Sequence, residues 1–193
     1  MPCGGIGTWV WTRSNGWSAA RHTISHIQVV HPDDIPRFRR LGVVANAQAL
    51  WAQNGQDQLE LTKPYLGEER ARWQYPFGSL LRTGATLAMG SDWGVSTADV
   101  MDQIDTAVTR FNHDAPDLPP LNLEERISFL DALTGFTAGS AYVNHREDVS
   151  GTLAVGMLAD LVVLDRDPTA NGPIRKASVS MTVVDGKVVF EED

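Results

Sequence analysis

The stretch GATLAMGSDWG, residues 84–94, places a short apolar run between two glycines and an acid shortly after it. An apolar run bounded in this way is typical of a buried strand, here Ala85–Met89. In a parallel α/β barrel, the side chains that follow the carboxyl ends of the strands form the active site. Asp92 is therefore a candidate site residue, although an aspartate in this position more commonly caps a helix.

A second stretch upstream has the same design. His22–Val30 is β-branched and apolar, which predicts a strand and its continuation into a loop, and it contains His26 as a candidate metal ligand. A histidine from one strand end and an aspartate from another are residue types that a hydrolytic metal site uses. His22 would lie about 13 Å from His26 in an extended strand, too far for both to bind one ion. We therefore interpret His22 as structural.

Composition limits the class of protein. The chain has 193 residues, of which 42% are hydrophobic and 21% charged, so it can build one domain with a hydrophobic core. A formal net charge of −8 argues against binding to a nucleic-acid backbone. We expect neither a membrane span nor a secretory signal, and hence a cytoplasmic location. The single cysteine, Cys3, excludes an internal disulfide and has no base partner that would make it a nucleophile.

Hydrophobic periodicity predicts strands alternating with helices, followed by a tail of short strands. This order indicates a parallel sheet with crossover helices, and Asp185-Gly186 between two valine-rich runs indicates a β-hairpin. The first predicted helix begins at Pro32 and ends near Gly42. Five further helices are predicted, at Glu68–Trp73, Pro76–Arg82, Asp99–Phe111, Leu123–Leu133 and Thr137–Val143. The remaining predicted strands are Thr8–Thr12, Val43–Ala47, Ala159–Leu164, Ser178–Val184 and Lys187–Phe190.

Five motifs, in collinear order, resemble the C-terminal half of an amidohydrolase of family 3, the YtcJ-like group of metal-dependent hydrolases. They are RHTISHIQVVHPDDIPRFRRLGVVANAQALWAQ (21–53), GATLAMGSDWGV (84–95), LTGFTAGSAYV (133–143), GTLAVGMLADLVVLDRDP (151–168) and VVDGKVV (183–189). The resemblance implies a partial (β/α)8 barrel, about strands six to eight, followed by a segment of a β-sandwich. The expected organisation is a divergent segment 1–20, a barrel segment 21–150 and a sandwich segment 151–193.

The resemblance also implies chemistry. A divalent metal, most simply zinc, lowers the pKa of a bound water and polarises the scissile carbonyl. Asp92 matches the strand-eight aspartate, which is catalytic base and metal contact, and His26 matches the strand-six metal ligand. Residues after the strands become candidate substrate contacts: Gln28, Gln48, Trp51 and Trp93. The implied substrate is a small amide or formamide-like molecule with a non-peptide C–N bond.

Other titratable residues receive simpler interpretations. His31 is a weak candidate in the same loop region, whereas His113 and His145 are expected to be solvated. The acidic pair Glu124/Glu125 is interpreted as first-turn helix residues rather than as a catalytic dyad. Asp165 is assigned a structural role in the return to the sandwich.

The sequence also departs from the family pattern. It has no H-x-H pair, no bridging lysine or acid, and no histidine from strand five, all of which the resemblance implies as ligands. With two candidate ligands, where zinc catalysis needs three and a water, the chain alone is expected not to turn over substrate at a family-like rate. The alternatives are a different N-acyl or cyclic amide substrate, an inactive fragment or pseudoenzyme subunit completed by a second chain, and a metal-free α/β binding domain.

Overall fold

A computed structural model describes residues 19–170 and 172–192, so the strand predicted at Thr8–Thr12 lies outside the described residues. The first half is built on a three-stranded parallel sheet in the order β1-β2-β3. Its strands are β1 (Thr23–Ser25), β2 (Val44–Ala47) and β3 (Leu87–Met89). Within the described residues the two sheets have three strands each, so the partial barrel is an open sheet rather than a closed one.

The α-helices of this half connect and cover the strands. Apolar side chains from the helices and from β2 and β3 form one buried core, with Phe77, Leu80 and Ile104 fully buried. The helices are α1 (Ile35–Leu41), α2 (Lys63–Ala71), α3 (Phe77–Arg82), α4 (Val100–Thr109), α5 (Phe129–Thr134) and α6 (Ser140–Val143). A π-helical turn, Gly135–Gly139, joins the last two, and another, Gln58–Thr62, leads into α2.

Helix ends follow the predicted chemistry in most places. Asp99 caps α4 by accepting hydrogen bonds from the backbone N–H groups of Met101 and Asp102. Gly42 ends α1 in the left-handed conformation, at φ 65°. These two helices therefore confirm the periodicity and the turn residues read from the sequence.

Three predicted elements differ from the structure. The strand predicted at the start of His22–Val30 is limited to β1, because His26 and Ile27 both have positive φ angles and leave the sheet. The helix Leu123–Leu133 is divided, since Ser128 and Asp131 form a capping box that begins α5 at Phe129. The helix predicted at Glu68–Trp73 lies in the connection 48–75 and begins earlier, as α2, after helical turns at Ala49–Trp51 and Gln58–Thr62.

The tail forms a separate antiparallel sheet of β4 (Leu161–Leu164), β5 (Val179–Val184) and β6 (Lys187–Glu191). Its hairpin turn has positive φ at both Asp185 and Gly186, as the Asp-Gly signal predicts. A short 3₁₀ helix, Ile174–Lys176, packs on α4, where Arg175 Nε donates to Asp102 Oδ1 at 3.1 Å. Among the described residues, no helix is both long and apolar enough to cross a bilayer.

Glu125 lies in the first turn of a 3₁₀ helix, Leu123–Glu125, as predicted, and its carboxylate is buried. Its oxygens accept hydrogen bonds from the backbone N–H of Ser79 at 2.7 Å and from the Ser79 hydroxyl at 2.6 Å. The neighbouring Glu124 is exposed, as expected for a solvated helix start. Glu125 therefore ties the chain after α4 to α3 and has a structural role.

Candidate active site

Asp92 lies in a closed turn just beyond β3. Its backbone carbonyl accepts hydrogen bonds from the N–H groups of Val95 at 3.0 Å and Ser96 at 3.1 Å, and its own φ is 59°. Because Asp99 takes the capping role at α4, the capping interpretation of Asp92 has no support in this loop. The side chain is half-buried, at the edge where the parallel strands end.

His26 lies at the corresponding place after β1. Its backbone N–H donates to Gln48 Oε1 at 2.8 Å, and its side chain is exposed. His26 and Ile27, at φ 69° and 55°, are two consecutive non-glycine residues in the left-handed region. Such residues cost on the order of 1 kcal/mol or more each, so contacts such as the burial of Ile27 must stabilise this turn.

A single cavity of about 700 Å³ brings His26 and Asp92 together. The cavity is also lined by two of the four predicted substrate contacts, Gln28 and Trp51. The complete lining is His26, Gln28, Leu50, Trp51, Gln53, Gly55, Gln56, Asp57, Gln58, Thr62, Tyr75, Asp92 and Asn112. The carboxyl edge of the sheet is thus the floor of the site, and the connection 48–75 supplies most of its wall.

The other two predicted contacts lie elsewhere. Gln48 is buried, with 6% of its surface exposed, and its carboxamide is used in hydrogen bonds to His26 and Asn46. Trp93 follows Asp92 but is 78% exposed and does not line the cavity. Sequence position alone does not separate these two from Gln28 and Trp51, because all four follow strand ends.

A smaller pocket of about 200 Å³ lies between β1 and α1. It shares His26 and Gln28 with the main cavity and adds His31, Phe38 and other residues of the α1 region. His31 thus lines the smaller pocket and not the cavity that contains Asp92.

Tyr75 is a cavity residue that the sequence analysis did not single out. It is 4% exposed, and burial raises its pKa to about 12, against smaller opposing effects of Arg110 and of a hydrogen bond with Gln58. Gln58 Oε1 also accepts a hydrogen bond from Gln74 Nε2 at 2.8 Å. The available signal was the length of the 48–75 connection, since long connections in compact domains commonly carry binding residues.

The raised pKa of Tyr75 predicts a loss of stability in alkali. A phenol whose pKa is higher in the folded state stabilises the fold below its ordinary pKa of about 10, and this contribution is lost as pH rises through about 12. Between about pH 9 and pH 11 the loss amounts to about 1 kcal/mol. Urea unfolding at the two pH values should show a smaller decrease for Tyr75→Phe than for the unsubstituted protein. The control Tyr65→Phe, at an exposed position, should decrease as the unsubstituted protein does.

The donor types at the cavity suit a metal ion, but their number does not complete a site. An imidazole and a carboxylate are both zinc ligands, whereas a catalytic zinc site commonly has three protein ligands and a water. Over residues 19–170 and 172–192, no group of three or more His, Cys, Asp or Glu side chains is arranged to hold an ion. His26 and Asp92 therefore fit part of a metal site that needs further donors.

The prediction that His113 is solvated is wrong, because its imidazole contacts a buried carboxylate. Its Nε2 lies 2.7 Å from Oδ2 of the buried Asp105, and 30% of its side chain is exposed. The ring also makes an edge contact with Phe111, with centroids 5.1 Å apart. His113 is thus committed to the C-terminal end of α4, while His145 is exposed as predicted.

The parallel sheet carries an aspartate and a histidine just beyond its carboxyl edge, where α/β barrel proteins hold their active sites. The sequence model of the Amidohydrolase family matches residues 10–190, and the chain belongs to this family. This match begins at residue 10, whereas the motifs that carry the resemblance begin at residue 21.

Curated relatives agree with this assignment. The chain is 35% identical over 181 residues to Protein LONG AFTER FAR-RED 3 of Arabidopsis thaliana, covering 92% of this chain and 30% of that protein. It is 27% identical to YtcJ of Bacillus subtilis (strain 168), covering 86% and 31%, and 29% identical to the N-substituted formamide deformylase of Arthrobacter pascens, covering 74% and 24%. The chain thus spans about a third or less of the length of these relatives.

Solved structures give the same fold. A metal-dependent hydrolase from Pyrococcus horikoshii OT3 superposes with a TM-score of 0.70 at 28% identity, over 86% of this chain and 32% of that one. A variant of atrazine chlorohydrolase TrzN from Arthrobacter aurescens TC1, complexed with zinc and atraton, superposes with a TM-score of 0.62 at 24% identity. That match covers 95% of this chain and 39% of TrzN, and it supports the fold alone.

Proposed function

We propose that this chain carries the catalytic base and one metal ligand of a metal-dependent amidohydrolase that cleaves a non-peptide C–N bond. The observation that carries the proposal is the single cavity lined by both Asp92 and His26, at the carboxyl edge of a parallel sheet. In this proposal His26 and Asp92 bind a divalent ion, most simply zinc, at a site that further donors complete. The cytoplasmic location expected from the sequence stays a prediction.

The proposed chemistry assigns the proton transfers to Asp92. The carboxylate accepts a proton from the attacking water and passes it to the leaving nitrogen, as a general base and then acid. The metal, when bound, supplies electrostatic stabilisation of the carbonyl oxygen and a lowered pKa for the water. The half-buried position of Asp92 suits this role, since it keeps the carboxylate partly desolvated and still accessible from the cavity.

The cavity lining supports a small amide as substrate. Two of the carboxamides that line it, Gln28 and Gln53, can each donate and accept a hydrogen bond, which matches the donor and acceptor of an amide. The other carboxamides of the lining bond to neighbouring protein groups: Gln56, Gln58 and Asn112. Trp51 adds an apolar surface for the substituent on nitrogen. The relative named as an N-substituted formamide deformylase makes a formamide the first substrate to test.

The test is metal affinity of the purified chain, measured by calorimetric titration with zinc. Because each substitution removes a proposed ligand, His26→Ala and Asp92→Asn should each weaken binding at least tenfold. The controls His31→Ala and Asp33→Asn, at exposed positions outside the cavity, should leave the affinity unchanged. No zinc binding by the unsubstituted chain, or equal losses in the controls, would overturn the proposed site.

A second candidate is a subunit completed by another chain. It is favoured because the part of the chain that the structure describes holds no group of three possible metal ligands and its parallel sheet is open. Release of formate from an N-substituted formamide distinguishes the two. Metal-dependent release by the chain alone, lost in Asp92→Asn, would support a self-sufficient enzyme. Zinc binding that depends on His26 and Asp92 without formate release would support the subunit.

A further inference from the structure

The three parallel strands are connected to one another where they end. Gly90, directly after β3, donates its backbone N–H to the carbonyl of Ala47, the last residue of β2, at 3.1 Å. On the other side, β1 ends at Ser25, which pairs with Asn46 of β2. His26 then turns out of the sheet with a positive φ, so its N–H leaves the backbone ladder.

The side chain of Gln48 provides the hydrogen-bond acceptor for the His26 N–H in place of a neighbouring strand. Its Oε1 accepts the hydrogen bond from the His26 N–H at 2.8 Å, while its Nε2 donates to Asn46 Oδ1 at 3.1 Å. Asn46 Nδ2 donates in turn to the Ser25 hydroxyl at 3.3 Å. Gln48 itself is 94% buried, since 6% of its surface is exposed, so its carboxamide is held between β2 and the loop after β1.

We propose that Gln48 is a positioning residue, which fixes the backbone of His26 and thereby directs its imidazole toward the cavity that contains Asp92. The proposal rests on the metal-binding role of His26 proposed above. Gln48 contributes no atom to the cavity lining, so it acts through His26 and not on the substrate. The left-handed backbone of His26 takes its N–H out of the sheet ladder. The buried carboxamide of Gln48, which is also bonded to Asn46, supplies the acceptor that this N–H needs.

Two near-isosteric substitutions test the hydrogen bond. Gln48→Met removes the acceptor while keeping the length of the side chain, whereas Gln48→Glu keeps an acceptor for the His26 N–H and loses the donor to Asn46 Oδ1. Amide hydrogen exchange measured by NMR should be at least tenfold faster at His26 in Gln48→Met and within about threefold of the unsubstituted protein in Gln48→Glu. The Gly90 amide is the internal reference, because its acceptor is a backbone carbonyl, and its exchange should not change.

The same variants test the link to the metal. Zinc affinity should decrease about tenfold in Gln48→Met, as for loss of other groups that orient a ligand, and be retained in Gln48→Glu. Unchanged exchange at His26 in Gln48→Met would overturn the proposal, and so would equally faster exchange at Gly90, which would indicate a loosened sheet. An unsubstituted chain that binds no zinc would instead overturn the proposed function, while the exchange result would still decide the role of Gln48.

Discussion

Gly139→Ala is expected to lower the free energy of unfolding by about 3 kcal/mol, because a Cβ at this position meets the backbone of β3. The added atom would lie 2.3 Å from the carbonyl oxygen of Leu87 and 3.2 Å from the Cα of Ala88. Neither atom can turn aside as a flexible side chain does, so the helix must move away from the strand. Ser140, which donates to the carbonyl of Met89 at 2.6 Å, would be displaced with it.

The matched control is Gly135→Ala in the same π-helical turn. Both glycines have right-handed helical angles, so both substitutions gain the same helix propensity, about 1 kcal/mol. At Gly135, however, the new Cβ meets a side chain and not backbone, at 2.9 Å from Cγ of the buried Met89, and the gain in helix propensity offsets the shift that Met89 must make. Urea denaturation should therefore place Gly135→Ala within about 1 kcal/mol of the unsubstituted protein. Equal stabilities of the two variants would contradict the close approach of the helix to β3.

Sequence periodicity predicted the order of elements well where local chemistry decides it. Asp99, Gly42 and Asp185-Gly186 are end and turn signals that act within a few residues, and each occurs where the structure uses it. The length of β1 could not be predicted in the same way. The apolar pattern continues through Val30, but the chain leaves the sheet at His26. There the side chain of Gln48, which directly follows β2, accepts the hydrogen bond from the His26 N–H.

Some residues of the candidate site could be predicted from local sequence, and others could not. The positions of His26 and Asp92 just beyond strand ends follow from the motifs, and both residues line one cavity. Which neighbouring polar residues reach the cavity does not follow from position. Tyr75 lines it although it precedes a helix and not a strand, because its backbone N–H donates to the carbonyl of Gln28 at 3.2 Å. Such contacts join segments almost fifty residues apart, beyond the reach of any local pattern.

Arg110→Met is expected to lower the free energy of unfolding by about 3 kcal/mol, because three backbone carbonyls lose a buried donor. The guanidinium is fully buried and donates to the carbonyls of Leu121 at 2.8 Å, Tyr75 at 3.1 Å and Gln74 at 3.4 Å. Burial lowers the pKa of Arg110 to about 10, against the opposing effect of Glu125, so keeping this charge inside is costly. That cost offsets part of the hydrogen bonding and keeps the expected loss from being larger.

The loss should also reach the candidate site, since Arg110 holds the segment that forms one wall of it. Gln74 forms a β-bridge with Val29, and Tyr75 lines the cavity. The guanidinium donates to the carbonyls of both Gln74 and Tyr75, so its loss should loosen this segment. Urea denaturation gives the stability, and amide exchange at Tyr75 should become faster in Arg110→Met by more than the change in global stability accounts for. Arg126→Met, at an exposed arginine, should change the stability by no more than about 0.5 kcal/mol. A loss below about 1 kcal/mol in Arg110→Met would mean that water or the neighbouring backbone satisfies these carbonyls, and that Arg110 does not hold the cavity wall.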